Sequence, residues 1–237
     1  MTNETIATPS FDWLDRIRTQ LLLTSPLYLL VPVAFYALYA VWGIHPTWPA
    51  IGAGALGWFV ALGLRAPVAV LAQKLAGSQE KAGNWIVAAS GPLEETLRLL
   101  VLLWLGRDAA TALAIGLGWA GIEVVFTLVN AFAANALLRR DDPKSVQARE
   151  MLAQNLKTDH GPLWGVIERI TASALHIANT LIVAWMPLAA IATALVHSAL
   201  NMGVVRLSKK SIVLAEALLA LVASLSFWLG LHLFHLI

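Results

Sequence analysis

The sequence predicts an all-α polytopic membrane protein, a transmembrane helical bundle of about seven spans with its N-terminus in the cytoplasm. The 237 residues are 59% hydrophobic and only 13% charged, a composition far from that of a soluble domain. Apolar stretches long enough to cross about 30 Å of hydrocarbon recur along the chain. Lysine and arginine are concentrated in alternate connections between these stretches. Together, these observations set the fold class.

Seven apolar stretches each supply the roughly 20 residues that a membrane-spanning helix needs. The fifth and sixth adjoin at Pro187, which can open a new helix because the first helical position needs no N–H donor. We therefore expect one transmembrane domain over residues 21–237, after a polar cytoplasmic segment at residues 1–20. A polar cytoplasmic loop at residues 139–161 has room for a short surface helix. The seven stretches are residues 21–43, 49–75, 84–106, 109–138, 163–186, 187–207 and 212–236.

The positions of lysine and arginine orient the bundle, because cytoplasmic loops carry an excess of both. If the spans alternate, one side receives only Arg107. The N-terminus is therefore expected in the cytoplasm and the C-terminus outside, in a membrane that we expect to be the bacterial cytoplasmic one. The other side receives Arg16, Arg18, Lys74, Lys81, Arg139, Arg140, Lys144, Arg149, Lys157, Arg206, Lys209 and Lys210.

Composition also excludes several kinds of site and partner. The chain has no cysteine, so disulfides, iron–sulfur clusters and thiolate metal sites are impossible. Its net charge is only +2, which gives no basic face for a nucleic acid. Membrane lipid is the expected surrounding.

The most informative feature is a charged cluster in the third span, formed by Glu94, Glu95 and Arg98. A charged side chain near the bilayer centre costs about 2.5–3.5 kcal/mol even on the mildest scale. These side chains must therefore face protein or a water-filled cavity. Arg98 lies three and four residues after the two glutamates, so it can pair with either of them.

Other spans carry polar groups at the same depth as this cluster. Glu123 in the fourth span, His176 in the fifth and His197 in the sixth lie within about 8 Å of one level, counted at 1.5 Å per residue. Asn201 follows His197 by one turn and shares its face, and Glu168 flanks the face that carries His176. The polar faces of four helices can therefore line one cavity near the midplane.

Three known signatures of intramembrane hydrolases are missing from the sequence. It has no HExxH zinc motif. Every aspartate lies in a loop or at the end of a span, which removes a paired-aspartate protease, and no GxSxG motif supplies a serine nucleophile. Glutamate, histidine and asparagine remain. A buried glutamate can take a proton from water, while histidine and asparagine can donate hydrogen bonds to a developing oxyanion.

The same side chains could instead hold Zn²⁺, because two histidines and a carboxylate with one open position make a catalytic zinc site. The fixed positive charge of Arg98 beside both glutamates disfavours a divalent cation between them. We therefore favour no cofactor, and Zn²⁺ remains the alternative. The candidate metal ligands are Glu94, Glu123, His176 and His197.

Four segments occur in the order and at the spacing of a known family: GPLEETLRLL, GLGWAGIEVV, IERITASALHIANTLIVAW and LVHSALNMGVV. They resemble the YhfC-type intramembrane metalloprotease family, which is related to type II CAAX prenyl endopeptidases and to the Aph subunit of gamma-secretase. The segment GALGWFVALGLRAPV in the second span is similar to that family as well. The resemblance covers about residues 50–206.

This resemblance implies roles for individual residues. Glu94 corresponds to the water-activating glutamate, His197 and Asn201 to the pair that stabilises the oxyanion, and His176 to the other active-site histidine. Trp119 stands where the family pattern has a histidine, and Arg98 falls one position earlier than the arginine of the CAAX endopeptidases. The expected catalytic residues are Glu94, Glu95, His176, His197 and Asn201, and the expected supporting residues are Arg98, Glu123, Trp119 and Glu168.

The function that the sequence favours is an intramembrane endopeptidase of the CAAX-protease-like superfamily, acting on a peptide or membrane-protein substrate. Two alternatives stay open. A non-catalytic scaffold like the Aph subunit is favoured by the loss of a histidine at Trp119. A transporter could use the carboxylates as a cation site, but the chain shows no inverted repeat.

Overall fold

The computed structural model describes residues 12–155 and 163–237, and these ranges contain eight helices and no strand. The helices are α1 (Asp12–Val41), α2 (Trp48–Leu75), α3 (Gln79–Leu105), α4 (Ala109–Leu137), α5 (Pro143–Asn155), α6 (Leu163–Trp185), α7 (Ala189–Ser208) and α8 (Ile212–Leu233). The all-helical fold class is confirmed. Helix α1 begins at Asp12, inside the segment that was predicted to precede the bundle, and residues 1–11 of that segment lie outside the described residues.

Six of the described helices are long and apolar enough to cross a membrane: α1, α2, α4, α6, α7 and α8. Helix α3, with 27 residues, is comparable in length but carries the cluster of Glu94, Glu95 and Arg98. All three residues are buried inside the bundle, with at most 2% of the surface of each residue exposed. Counting α3, the structure agrees with the prediction of about seven spans. Helix α5 lies within the predicted cytoplasmic loop, where a short surface helix was expected.

Several helices begin where a polar side chain caps free backbone N–H groups. The side chain of Ser78 accepts a hydrogen bond from the backbone of Lys81 at the start of α3, and that of Asp108 accepts one from Thr111 at the start of α4. Helices α6 and α7 are separated only by residues 186–188, which include Pro187. This confirms the predicted break, because the proline ring cannot continue the preceding helix.

Helix α4 lies at the centre of the bundle. Its residues 112–120 are buried on every side, and it packs against α1, α2 and α6. Helix α3 packs against α2 and α7, and α8 packs against α6 and α7. A helix that is apolar and buried all round is typical of the core of a large bundle.

Two glycines allow the close approaches that place the polar side chains. A Cβ atom at Gly57 on α2 would lie 2.8 Å from the ring of Trp119 on α4. A Cβ atom at Gly91 on α3 would lie 2.1 Å from the backbone oxygen of Ala194 on α7. Small residues let membrane helices approach closely. Gly57 therefore makes room for the indole ring, and Gly91 brings α3 and α7 together one turn before the charged cluster.

The orientation of the bundle can be tested with reporters of membrane sidedness. If α3 spans together with the six apolar helices, a reporter fused after Ile237 is expected outside the cytoplasm and one inserted near Lys144 inside it. This follows from the one-sided distribution of lysine and arginine. Because α6, α7 and α8 separate the two positions, both reporters on the same side would show that one of these three helices does not cross. With the N-terminus inside, an exchange of the two positions would show that α3 does not cross.

Candidate active site

Polar side chains from α2, α3, α4, α6 and α7 line a cavity of about 140 Å³. The polar residues of its wall are Arg65, Glu94, Glu123, Glu168, Arg169, His176, His197 and Asn201, and apolar residues such as Trp58 and Leu219 complete it. The cavity is the most polar in its lining among those described. It extends from the level of Glu94 toward the end of the bundle where α6 and α8 begin. The shared depth of four polar helix faces, inferred from the sequence, therefore corresponds to one cavity.

Glu95 lies behind this cavity, where both of its carboxylate oxygens are fully engaged. Oε1 accepts hydrogen bonds from Asn179 Nδ2 at 3.2 Å and pairs with His197 Nδ1 at 3.0 Å. Oε2 accepts from Arg98 Nε at 2.9 Å and from Thr193 Oγ1 at 3.3 Å. The Thr193 hydroxyl also lies 3.1 Å from the backbone oxygen of Ala189, so its one proton is shared among these acceptors. With three nitrogen donors on its carboxylate, Glu95 is placed to hold neighbouring side chains.

Arg98 is fully buried and connects three of the helices around the cavity. Besides Glu95, its guanidinium donates to the backbone oxygen of His176 at 3.1 Å and to Thr180 Oγ1 at 2.5 Å. It also lies over the ring of Trp119, 4.3 Å from the centroid, in a cation–π contact. The sequence allowed Arg98 to pair with either glutamate, and it pairs with Glu95.

The tautomer of His176 follows from its neighbours. Its Nδ1 lies 3.1 Å from the NH2 group of Arg98, which can only donate, so Nδ1 accepts. In the neutral ring the proton then sits on Nε2, which lies 2.6 Å from Glu123 Oε2 and donates to it. Glu123 also accepts from Arg169 at 2.6 Å, and Arg169 donates to Glu168 at 2.5 Å. These contacts form one chain of charged groups along the cavity wall.

Glu94 faces the cavity and is held by two donors. Arg65 on α2 donates to Oε1 of this carboxylate, and Trp119 Nε1 donates to Oε2 at 3.0 Å. His197 Nε2 lies 3.8 Å from Oε1, and His176 Nδ1 lies 3.9 Å from Oε2. Trp119 thus supplies a hydrogen-bond donor to this glutamate.

His197 and Asn201 lie one turn apart on α7 and both line the cavity. Because Nδ1 of His197 faces the carboxylate of Glu95, it is the donor of that bond, and Nε2 is left facing Glu94. The amide of Asn201 donates to Ser90 Oγ at 3.0 Å, which fixes its orientation and leaves its second N–H. The Asn201 amide can therefore donate to a group placed in the cavity, and Nε2 of His197 can do so as well when both ring nitrogens are protonated.

The structure brings together all nine residues that the sequence predicted for the site. Glu94, Glu123, Glu168, His176, His197 and Asn201 line the cavity, while Glu95, Arg98 and Trp119 lie behind its wall. Sequence reasoning did not single out Arg65, the partner of Glu94, or Glu216 on α8, which is 4% exposed. Both are charged residues inside predicted spans, and that rarity is the signal that could have identified them.

A cavity lined by carboxylates, histidines and an amide, inside a bundle of apolar helices, is the kind of site that an intramembrane hydrolase needs. A sequence model of the YhfC intramembrane metalloprotease family matches residues 27–223, and the chain belongs to that family. The resemblance inferred from four motifs is thereby confirmed. No curated protein and no solved structure matches the chain significantly.

The family description implies a metal, and a metal needs donor atoms with free lone pairs that point to one position. His176 Nδ1 accepts from Arg98, which leaves the proton on Nε2 and no lone pair there for a metal. Glu123 accepts on both oxygens, and Glu94 is paired with Arg65. In the part of the chain that the structure describes, no three acidic or histidine side chains are placed to share an ion. As arranged, these residues do not fit a catalytic zinc site.

Proposed function

We propose that this protein is an intramembrane endopeptidase that hydrolyses peptide bonds with a glutamate-activated water. The observation that carries the proposal is the meeting of Glu94 and His197 on the cavity wall. Their facing atoms are 3.8 Å apart, and Glu95 holds the far side of the imidazole at 3.0 Å. A carboxylate, a histidine and a second carboxylate in this order form a base next to an oriented hydrogen-bond donor.

In the proposed reaction, Glu94 takes a proton from water as the water oxygen attacks the peptide carbonyl carbon. The carbonyl oxygen becomes an oxyanion, which accepts hydrogen bonds from His197 Nε2–H and from the free N–H of Asn201. The carboxylate of Glu95 stabilises the positive charge that His197 carries while both ring nitrogens donate. The C–N bond then breaks, and Glu94 returns its proton to the leaving amine.

Arg65 and Trp119 are proposed to position the base. Each occupies one oxygen of Glu94, and the side chain of Arg65 is 27% exposed, whereas that of Glu94 is 3% exposed. Arg65 can therefore turn toward an incoming substrate and release one carboxylate oxygen to the water. Trp119 is fully buried and keeps the other oxygen in place. The tryptophan is compatible with activity in this arrangement, because it orients the catalytic carboxylate.

The proposal is tested by cleavage of a fluorogenic membrane-spanning peptide by the purified protein in liposomes. In Asn201→Ala, turnover is expected to fall by roughly 10²–10³-fold with little change in KM, because one oxyanion donor is lost. Asn130→Ala, at an exposed position of α4, is the matched control and should retain full turnover. A wild-type protein that cuts no membrane peptide would favour the non-catalytic scaffold, and full turnover in Asn201→Ala would remove this residue from the site.

A second expectation concerns metal. Arg98 donates to Nδ1 of His176, so the ring proton stays on Nε2 and Nε2 offers no lone pair to a metal. We therefore expect well under one zinc per chain in purified protein. Cleavage should survive treatment with 1,10-phenanthroline. Metal content measured by mass spectrometry, and cleavage rates before and after the chelator, check both points. A metal mechanism would be restored if the wild type held one zinc per chain and His176→Ala lost both the zinc and the activity. The control His45→Ala, in an exposed loop, would have to keep both.

We further propose that the protein sits in a bacterial cytoplasmic membrane with the cavity opening in the cytoplasmic half. The lysine and arginine asymmetry supports this placement. Glu168, whose side chain is 40% exposed, lies five residues after the predicted cytoplasmic start of α6 and is the most open of the charged cavity residues. The sidedness reporters described above test this orientation.

A further inference from the structure

Helix α8 carries one buried acid that takes no part in the proposed reaction. Glu216 lies about one turn after the start of the helix at Ile212 and is only 4% exposed. Three residues later, Leu219 packs against Leu175 and lines the cavity. Helices α6 and α8 pack along each other, and Glu168 lies at a similar distance from the start of α6. The two carboxyl groups therefore occupy the same level at the cytoplasmic end of the cavity.

Glu216 is the acid of this region that arginine does not neutralise. The other carboxylates at the cavity each pair with an arginine: Glu94 with Arg65, Glu95 with Arg98, and both Glu123 and Glu168 with Arg169. Glu216 Oε2, by contrast, is fully buried without a hydrogen-bond partner in the described ranges. The charged groups that act on it are Glu168 and Arg169. Because Arg169 is already shared by two carboxylates, this end of the cavity has an excess of acid.

An unpaired buried carboxylate is costly, so such a group is expected to gain a cation when the site is filled. The substrate of an intramembrane protease can supply one. Membrane-spanning segments carry lysine and arginine at their cytoplasmic ends. The mouth of the cavity is open at Glu168 and lies on the side where such a residue would arrive.

We propose that Glu168 and Glu216 form a binding site for the ammonium or guanidinium group of a basic residue on the cytoplasmic flank of the substrate. This inference rests on the proposed endopeptidase function for the identity of the ligand. Glu168 and His176 are eight residues apart on α6, which is about 12 Å along the helix axis. At about 3.3 Å per extended residue, the basic side chain would lie roughly four residues from the bond that is cut.

The test uses the full-length protein in liposomes and two synthetic membrane-spanning peptides. One peptide carries a single lysine at its cytoplasmic flank, and the other carries norleucine, which has a similar length and no charge. Wild-type protein should bind the lysine peptide about tenfold more tightly, measured by fluorescence quenching. In Glu216→Gln the two affinities should become equal. Glu80→Gln, which removes an exposed acid near the start of α3 at the same end of the bundle, should keep the tenfold preference.

Two outcomes would overturn the site: equal or absent binding of both peptides by the wild-type protein, or a preference that persists in Glu216→Gln. If Glu216→Gln does not fold, Glu168→Gln replaces it, because the Glu168 side chain is partly exposed. Glu168→Gln should reduce the preference for the lysine peptide. An unchanged preference would overturn the site. Cleavage is recorded separately. Lysine-selective binding without cleavage would contradict the endopeptidase proposal alone, and cleavage with no lysine preference would contradict this site alone.

Discussion

Glu94→Gln is expected to abolish peptide cleavage, lowering turnover toward the upper end of the roughly 10²–10⁴-fold range that general acid–base catalysis supplies. In the proposed reaction this carboxylate moves the proton twice, from water and then to the leaving amine. A glutamine side chain can do neither. It does retain an oxygen that can accept from Arg65 or Trp119, the present partners of Glu94. The loss is measured with the fluorogenic peptide in liposomes.

The control for this variant is Glu150→Gln, which removes an exposed carboxylate on α5 and should cleave at the wild-type rate. Helical content and thermal midpoint of Glu94→Gln need to stay near those of the wild type, so that lost turnover reports on chemistry. A well-folded Glu94→Gln protein with undiminished turnover would disprove the role of Glu94 as the base.

The largest effect on stability is expected from Arg98→Met. Arg98 is fully buried, and its removal leaves the carboxylate of Glu95 buried with no arginine beside it. Breaking a buried ion pair by removing one partner costs about 3–5 kcal/mol. The hydrogen bonds to the backbone of His176 and to Thr180 are lost as well. The loss of stability is measured as the change in the free energy of unfolding when the protein in mixed micelles is titrated with SDS.

Arg107→Met serves as the matched control, because Arg107 is exposed in the connection between α3 and α4. Its free energy of unfolding should stay within about 0.5 kcal/mol of the wild type. Adding Glu95→Gln to Arg98→Met should recover part of the loss, since the uncompensated charge is then removed. A loss below about 1 kcal/mol for Arg98→Met alone would contradict the importance of this ion pair for stability.

Much of the fold could be predicted because it depends on length, polarity and position along the chain. Apolar runs of sufficient length set the helices, and Pro187 set the break between α6 and α7. Counting residues from the ends of the spans placed Glu94, Glu123, His176 and His197 at one depth, and these four side chains do line one cavity. Depth is readable from a sequence because the rise per residue of a helix is nearly constant.

Pairing between helices was not predictable in the same way, because it depends on how each helix is rotated and packed. The spacing allowed Arg98 to reach Glu94 or Glu95, and nothing in the sequence showed that Arg65, from another helix, would take Glu94. Neither could the sequence show that Glu95 would accept from Arg98, Asn179 and His197 behind the wall. Glu216 could have been singled out as a charge inside a span, but the sequence could not show which groups it would face.

The distance along the chain between Arg98 and its partners has a consequence for how the protein is made. Arg98 and His176 are 78 residues apart, and Glu95 and His197 are 102 residues apart. At about 5–20 residues per second, ribosomes need roughly 4–16 s to add the first 78. During that interval α3 has emerged with three ionic groups, while α6 and α7, which supply the partners of Arg98 and Glu95, are not yet complete. We expect nascent α3 to wait at the insertion machinery or the lipid interface, and to enter the bilayer only together with α6 and α7.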